Sequence, residues 1–290
     1  MTVLSLSHIR FTRDERLILN DLSWSVAPGQ IAAVVGPNGC GKSTLMRLIS
    51  GYLWPTSGTI QLLGQTLGEY PIAKLRARIG LVEAQAVYPF DDDMTALDVV
   101  CSGYFGTLTL GYVSPPEPTA EHWSHAQHCL TQVALGDRAD QLYSTLSTGQ
   151  RMRTLIARAL VKKPELVLFD EPTAGLDLPA REAVLATLLR LHSPQKTNIP
   201  PNPIQHSEFS IQHLSPPAII IVTHHLDELL PGTSNVLLIN SRGGTQACGA
   251  PQDVLTDAHM SAAFNWPIHV QERHGRYHAH VDPQSWSELL

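Results

Sequence analysis

The sequence predicts an α/β fold in which a mainly parallel sheet carries helices on both faces. Short apolar runs alternate with stretches of helical character, as expected when each strand returns through a helix. A glycine-rich loop at residues 36–44 lies between an apolar run and a helical stretch. An acidic pair, Asp170-Glu171, ends a second apolar run. Together these features are typical of an α/β protein that binds phosphate groups.

The bulk properties exclude several classes of protein. The 290 residues suffice for one large α/β domain with an appendage, or for two modest domains. The formal net charge of −6 argues against a nucleic-acid partner. The four cysteines have no paired spacing, which suits a reducing compartment and neither a disulfide framework nor a zinc site. With no signal-peptide layout and no apolar run of about 18 residues, we expect a soluble intracellular chain.

The first third of the chain reads as strands with one helix after the glycine loop. Alternating or continuous apolar residues predict each strand, and turn residues such as Pro28-Gly29 separate them. The predicted strands are residues 2–9, 17–19, 22–26, 31–35, 59–63 and 79–82. The helix after the loop includes residues 45–49.

The rest of the chain predicts helices alternating with buried strands. Helices are expected from the acidic cap at 91–95 to about residue 102, at 119–134, after 146–150, at 179–192 and at 256–264, with strands at 166–169 and 218–222. Residues 193–217 are too long for a simple helix-to-strand connection. That insertion is either a partner-docking loop or a tolerated, solvated one.

The glycine loop fits the phosphate-binding pattern G-x-x-x-x-G-K-[ST] without a mismatch. Its residues are Gly36, Pro37, Asn38, Gly39, Cys40, Gly41, Lys42, Ser43 and Thr44. Backbone N–H groups and the dipole of the following helix converge on the place where a polyphosphate binds. We expect Lys42 to reach the β- and γ-phosphates and the Ser43 hydroxyl to ligate Mg²⁺.

The acidic pair supplies the chemistry that a phosphate loop alone does not. Asp170 leaves a buried strand and is expected to hold Mg²⁺ through water. Glu171 is expected to orient and polarise a water molecule in line with the γ-phosphate. Loop and pair together predict a nucleotide hydrolase.

With these motifs the sequence resembles ATP-binding-cassette (ABC) ATPases over nearly its whole length. The ordered set that carries the resemblance is residues 36–44, the L-S-x-G-Q motif at 146–150, the acidic strand at 166–171, residues 174–177 and His224. The resemblance implies a cassette over residues 1–250, with an antiparallel β subdomain and a helical subdomain at about 86–160 that carries the L-S-x-G-Q motif. Residues 251–290 are then a small C-terminal extension.

The resemblance also implies a shared site and assigns residues to it. Two copies, or this chain and a close paralogue, pair head to tail around ATP and Mg²⁺. Ser147, Gly149 and Gln150 of one copy then face the γ-phosphate held by the other, and Asp177 bridges the subunits. His224 senses the γ-phosphate beside the catalytic Glu171.

Two positions depart from the family pattern. The family's glutamine after the Ile-Gly strand corresponds to Ala84, so we take the next residue, Gln85, as the Mg²⁺ and water ligand, although Glu83 is also adjacent. The adenine-stacking position falls on Arg13, whose guanidinium plane can stack on a base, with Phe11 as the alternative.

One cassette without a membrane span predicts a transporter subunit with separate permease subunits and a substrate-binding protein. Residues 93–107 and 223–232 look similar to molybdate and iron-chelate uptake ATPases, which implies an importer of a metal complex or oxyanion. The chain is then cytoplasmic and peripheral on the inner face of the membrane. The alternative is a non-transport ATPase that assembles a complex such as an iron–sulfur scaffold.

Three further features leave alternatives open. The permease is expected to dock on residues 83–146 through Tyr88, Pro89 and Phe90, unless the two aromatic rings fill the local core. His278 and His280 share a strand face, which fits either a metal-sensing site or exposed histidines on a small β-ribbon. Cys40 is either a thiol activated by the helix N-terminus or a small residue that fits the loop.

Overall fold

The computed structural model describes residues 2–84, 88–107, 117–192 and 216–283. The strands, β1 to β12 in chain order, are Leu4–Arg13, Arg16–Val26, Ile31–Val35, Ser57–Leu62, Gln65–Thr66, Ile79–Glu83, Leu166–Asp170, Ala218–Thr223, Thr233–Ile239, Thr245–Gly249, His269–Arg273 and Arg276–His280. The helices, α1 to α8, are Lys42–Ile49, Ile72–Arg76, Ala96–Ser102, Ala120–Gln132, Thr148–Leu160, Leu178–His192, Pro251–Val254 and Asp257–Phe264.

A six-stranded sheet forms the centre of the molecule, in the order β10-β9-β3-β8-β7-β6. Every pairing in it is parallel except that of β10 with β9. Residues of β3, β7 and β8 are buried on both faces. Helix α1 packs on one face, and the helices α3 to α6, together with the C-terminal segment over β3, pack on the other. The predicted mainly parallel sheet is confirmed, and double burial explains the continuous apolar runs.

A second sheet is antiparallel, in the order β2-β1-β4-β5, and shares its core with α1. Residues 17–19 and 22–26, predicted as two short strands, belong to the single strand β2. Register shifts between β1 and β2 absorb the extra residues, with Asp21 in a left-handed conformation. The prediction of two strands was wrong because such a bulge interrupts the alternation of apolar residues without ending the strand.

The helical subdomain is built from α3, α4 and α5, which share a core with one face of the central sheet. Thr95 and Thr119 cap α3 and α4 with reciprocal side-chain and backbone hydrogen bonds, close to where the sequence placed these helix starts. The subdomain carries the L-S-x-G-Q motif at the start of α5, as the resemblance implied.

The C-terminal segment packs on the opposite edge of the central sheet. Helices α7 and α8 and residues of the β11–β12 ribbon cover side chains of β3 and β9. Strands β9 and β10 lie in residues 226–250, for which no element was predicted from the sequence. Helix α1 begins at Lys42, three residues before the predicted start at Leu45, because Lys42 to Thr44 were counted with the loop. Within the described ranges, no helix is both long and apolar enough to cross a bilayer.

Candidate active site

The phosphate loop connects β3 to α1 and closes around the side chain of Lys42. This ammonium group is buried and donates hydrogen bonds to the carbonyl oxygens of Gly36, at 2.8 Å, and Pro37, at 2.9 Å. The loop therefore holds the positive charge at its centre, at the N-terminus of α1. Backbone N–H groups and the helix dipole there favour an anion.

Gly41 shows why the loop needs glycine next to the lysine. Its φ of 100° lies in the left-handed region, and a Cβ there would be 2.5 Å from Cδ2 of Leu19. Leu19 is a fully buried residue of β2. The antiparallel sheet therefore packs directly against the loop, and only glycine allows this approach.

The acidic residues lie where adjacent parallel strands end. Glu83 of β6 pairs with Asp170 of β7, and Asp170 pairs with Val222 of β8. Glu171 follows β7, and His224 follows β8. Because the carboxyl ends of parallel strands share one edge of the sheet, these four polar side chains converge beside the phosphate loop.

Asp170 is 8% exposed, and its Oδ1 atom has no hydrogen-bond partner among the described residues. Desolvation by burial raises the pKa of its carboxyl, and the charges of Glu171 and Glu83 act in the same direction. A hydrogen bond from the Ser43 hydroxyl opposes this increase in the pKa. A buried carboxylate with an unsatisfied oxygen is costly, and a cation there would relieve the cost.

Glu171 is held in a strained backbone conformation. Its φ is 50°, in the left-handed region, and its N–H donates to the carbonyl of Val222 at 2.9 Å. Its Oε1 lies 2.9 Å from Nδ1 of His224. Strain of this kind persists where the surrounding structure fixes a side chain for function. Glu171 and His224 therefore form a contacting pair of side chains beside the phosphate loop.

A cavity of about 780 Å³ joins the loop to the strand ends. It is lined by Arg16, Ile18, Asn38, Gly39, Gly41, Lys42, Ser43, Thr44, Arg47, Glu83, Asp170, Glu171 and His224. The predicted Lys42, Ser43, Asp170, Glu171 and His224 are thus brought together in one site.

Arg13, predicted as the adenine-stacking residue, is exposed beside the β1–β2 turn and does not line the cavity. Its alternative, Phe11, is buried in the core of the antiparallel sheet. The hairpin residues that do line the cavity are Arg16 and Ile18. Two-residue turns pair their flanking residues, so Arg13 and Arg16 are opposite each other, and only the structure distinguishes them.

Four lining residues were not assigned to the site from the sequence: Arg16, Ile18, Arg47 and Glu83. Arg47 carried a usable signal, because it follows Ser43 by four residues and so shares its face of α1. Gln85, predicted as a metal ligand, lies outside the described residues.

The L-S-x-G-Q motif forms the N-terminus of α5, outside the cavity. Ser147 and Gln150 satisfy each other: the Ser147 N–H donates to Oε1 of Gln150 at 2.9 Å, and the Gln150 N–H donates to the Ser147 hydroxyl at 3.3 Å. A Cβ on Gly149 would be 2.9 Å from the Cβ of Ala180 in α6. Asp177 accepts a hydrogen bond from the Ala180 N–H at 2.9 Å and so caps α6.

The burial of Cys40 and the placement of the histidines on β12 bear on two alternatives that the sequence leaves open. Cys40 is buried, and desolvation raises the pKa of its thiol, so the small residue that fits the loop is the better interpretation. His278 and His280 are exposed on β12, and the described residues contain no group of three or more His, Cys, Asp or Glu side chains able to hold a metal. The described residues fit the alternative of exposed histidines on a small β-ribbon, and a metal-sensing site there stays a prediction.

Comparisons with known proteins place the chain among similar ATP-binding proteins. Residues 19–174 match the family model described as ABC transporter. The ABC transporter ATP-binding protein YlmA of Bacillus subtilis is 35% identical over 92% of this chain and 93% of its own length. The zinc transport system ATP-binding protein TroB of Treponema pallidum is 30% identical over 88% of this chain and 84% of its own.

A solved structure shares the architecture as well. The structure of cbiO1 from Clostridium perfringens, part of the ABC transporter complex cbiONQ, has a TM-score of 0.69 and is 26% identical. The match spans 88% of this chain and 90% of the cbiO1 chain.

Proposed function

The chain belongs to the ABC transporter family of ATP-binding proteins, and on this premise we propose that it is the ATP-hydrolysing subunit of a membrane importer. One observation carries the proposal: Lys42, Asp170, Glu171 and His224 meet in a single cavity beside a helix N-terminus. A phosphate-binding loop opposite a carboxylate that can position water is the arrangement that nucleotide hydrolysis requires.

The donor set of the cavity fits Mg²⁺. The Ser43 hydroxyl and the unsatisfied Oδ1 of Asp170 are oxygen donors of the kind that this cation prefers. Mg²⁺ binds through one or two protein oxygens together with phosphate oxygens and water, so a complete protein cage is not needed. When bound, the ion neutralises charge that develops on the phosphates. The assignment of Gln85 as a third ligand remains a prediction.

In this mechanism Glu171 accepts a proton from the attacking water, and His224 holds the Glu171 carboxylate in place. Nδ1 of His224 lies 2.9 Å from Oε1 of Glu171, and this contact holds the carboxylate in its orientation toward the cavity. Lys42 supplies positive charge to the phosphates from the centre of the loop.

Replacing Glu171 tests the catalytic assignment. Glu171→Gln is expected to retain ATP binding and to lower turnover by about 10²–10⁴-fold, the usual range for loss of a general base. Turnover is measured by phosphate release and binding by calorimetry. The exposed Glu69→Gln is the matched control and should behave as wild type. Equal turnover in Glu171→Gln and wild type would remove Glu171 from the mechanism.

We propose that the active form is a head-to-tail dimer of this chain, or a dimer with a close paralogue. Ser147, Gly149 and Gln150 do not line the cavity of their own chain, so they have no phosphate to contact within it. Beside Asp177, the side chain of Leu178 is 62% exposed, which suits a surface that a second copy covers. Light scattering of Glu171→Gln should show a dimer with ATP and a monomer without it. A monomer under both conditions would contradict the shared site.

The importer proposal includes a separate permease and a substrate-binding protein, with the chain on the inner face of the membrane. One relative is described as a zinc transport system protein, which supports a metal complex as the cargo and leaves an oxyanion as the other candidate. The cbiO1 structure is described as part of a transporter complex, which supports separate partner subunits. Purification from host membranes in mild detergent should recover a polytopic membrane protein with this chain. Recovery from the soluble fraction alone would favour the assembly-scaffold alternative.

We propose that the permease docks on residues 83–146, as the sequence predicts, together with the neighbouring loop after α1. Tyr88 and Phe90 are half-buried against the helical core, whereas Pro89 is exposed. The loop after α1 exposes two aromatic rings, Tyr52 at 58% and Trp54 at 51%, and the guanidinium of Arg76 lies 4.2 Å from the centre of the Tyr52 ring. Tyr52→Ala should lower recovery of the permease without changing hydrolysis by the isolated chain, whereas Tyr52→Phe should change neither.

A further inference from the structure

We propose that Glu83 is a positioning residue for the metal, holding a water molecule of its hydration shell opposite Asp170. This inference rests on the proposed function and identifies a residue of the same site. Sequence reasoning placed the third metal contact at Gln85, and the structure places a carboxylate two residues earlier in the cavity lining.

Strand geometry directs Glu83 and Asp170 to the same side of the sheet. The two residues are paired neighbours in the parallel strands β6 and β7. Val82 and Phe169, the residues just before them, face the core of the helical subdomain. Because successive side chains point to opposite faces, Glu83 and Asp170 both point toward α1.

The facing side of α1 presents a matched pair of polar residues. Ser43 and Arg47 are separated by one helical turn and so lie on one face of the helix. Ser43 and Asp170 both line the cavity, and Nε of Arg47 lies 3.6 Å from Oε1 of Glu83. Arg47 therefore orients the Glu83 carboxylate, whose side chain is 24% exposed, while leaving it open to the cavity.

The unsatisfied Oδ1 of Asp170 is the independent sign that this corner of the cavity takes a cation. It is buried, lines the cavity and lacks a partner among the described residues. Glu83 and Asp170 are paired neighbours, Glu171 follows Asp170 directly, and all three carboxyl groups line the cavity, so a divalent ion would offset their accumulated negative charge.

Glu83 acts through water and not as a direct ligand. The described residues hold no ready group of three metal-ligating side chains, so phosphate oxygens and water must complete the coordination. A carboxylate beside such a site accepts a hydrogen bond from a metal-bound water, as outer-shell partners of metals generally do.

The test measures metal binding separately from hydrolysis, with Mn²⁺ as the probe. Electron paramagnetic resonance counts free Mn²⁺ during titration of the chain saturated with a non-hydrolysable ATP analogue. Glu83→Gln should weaken Mn²⁺ binding by about tenfold or more, the factor expected for loss of a charge-assisted hydrogen bond. Affinity for the analogue without metal should stay within about twofold of wild type, because in this proposal Glu83 acts on a metal-bound water and not on the phosphates.

Two further variants separate positioning from charge. Arg47→Ala leaves the Glu83 carboxylate in place but removes the guanidinium that orients it. This variant should therefore weaken Mn²⁺ binding by a smaller factor than Glu83→Gln. Glu69→Gln serves as the control, since Glu69 is exposed outside the cavity. Wild-type Mn²⁺ affinity in Glu83→Gln overturns the inference. A parallel loss of metal-free analogue binding also overturns it, because Glu83 would then be structural. Failure of the wild-type chain to bind the analogue at all overturns the proposed function instead.

Discussion

The cavity lies at the N-terminus of α1, and the L-S-x-G-Q motif lies at the N-terminus of α5. Both helix ends suit a phosphate group, yet the polar groups at the two places are satisfied in opposite ways. In the cavity, Oδ1 of Asp170 has no partner among the described residues, and Glu171 is held at a φ of 50°. At the start of α5, Ser147 and Gln150 hydrogen-bond to each other. The cavity is therefore prepared for a ligand at a cost to the fold, whereas the α5 terminus is stable without one.

This difference suggests a division of labour between the two regions. The cavity binds nucleotide within a single chain, because loop, strand ends and Lys42 are all in place. In the proposed dimer, the α5 terminus contributes only when a second chain presents a phosphate to it. In that arrangement ATP binding precedes dimer closure, and closure depends on whether ATP is bound.

The largest expected effect separates the two regions by nucleotide affinity. Lys42→Ala removes the ammonium group at the loop centre together with its hydrogen bonds to Gly36 and Pro37. Calorimetry should show affinity for ATP lower by about 10²-fold, the range for loss of a charged hydrogen-bonding partner. Ser147→Ala should leave the affinity of the monomer within about twofold, and so should the exposed Lys74→Ala. If Lys42→Ala and Ser147→Ala lowered the affinity for ATP equally, the two regions would not differ in how they bind nucleotide.

A smaller effect tests whether the α5 terminus acts only in the dimer. In Gly149→Ala the new Cβ would be 2.9 Å from the Cβ of Ala180, so α5 and α6 must move apart. Overpacking of this kind costs about 1–3 kcal/mol, and we expect turnover to fall by about tenfold while ATP affinity of the monomer stays unchanged.

The double variant Gly149→Ala with Ala180→Gly is the control, because it restores the space between the helices. It should recover most of the turnover. No recovery would mean that the glycine serves the phosphate contact directly and not the helix packing.

The smallest effect is a pH-dependent gain in stability. Asp170 is an acid whose pKa is raised from 3.8 by burial, so the folded chain binds its proton more tightly than the unfolded chain does. Stability of the nucleotide-free protein therefore falls as pH rises through the raised pKa, and the cost persists at neutral pH. Asp170→Asn should raise Tm at pH 7 by about 2–4 °C, and the gain should shrink toward pH 4.

Asp177→Asn provides the matched comparison at the other region. Asp177 accepts the N–H of Ala180 at the start of α6, and asparagine caps a helix about as well as aspartate. Its Tm should stay close to that of wild type across the same pH range. A larger gain in Asp177→Asn than in Asp170→Asn would contradict the view that the stored cost lies in the cavity.

Much of the site follows from short stretches of sequence. The loop around Lys42, the pair Asp170-Glu171 and the cap formed by Ser147 are local, since a few neighbouring residues determine each backbone path and its hydrogen bonds. Buried strands were also visible, because burial on both faces requires continuous apolar residues such as those of β3, β7 and β8.

Other residues of the site depend on contacts between distant parts of the chain. Glu83 acquires its place from the pairing of β6 with β7, and Gly149 acquires its constraint from α6. Arg16 lines the cavity and Arg13 does not, because the packing of the hairpin against the loop determines which of the two residues faces the cavity.

The sequence by itself determined the mainly parallel sheet, the phosphate loop and the acidic pair, because local periodicity and residue spacing encode them. Only the tertiary structure decided that Oδ1 of Asp170 has no partner among the described residues, that Arg47 lies beside Glu83, and that the L-S-x-G-Q helix lies outside its own cavity. The physical reason is that side-chain burial and charge balance depend on which elements pack together, and residues far apart in the chain control that packing.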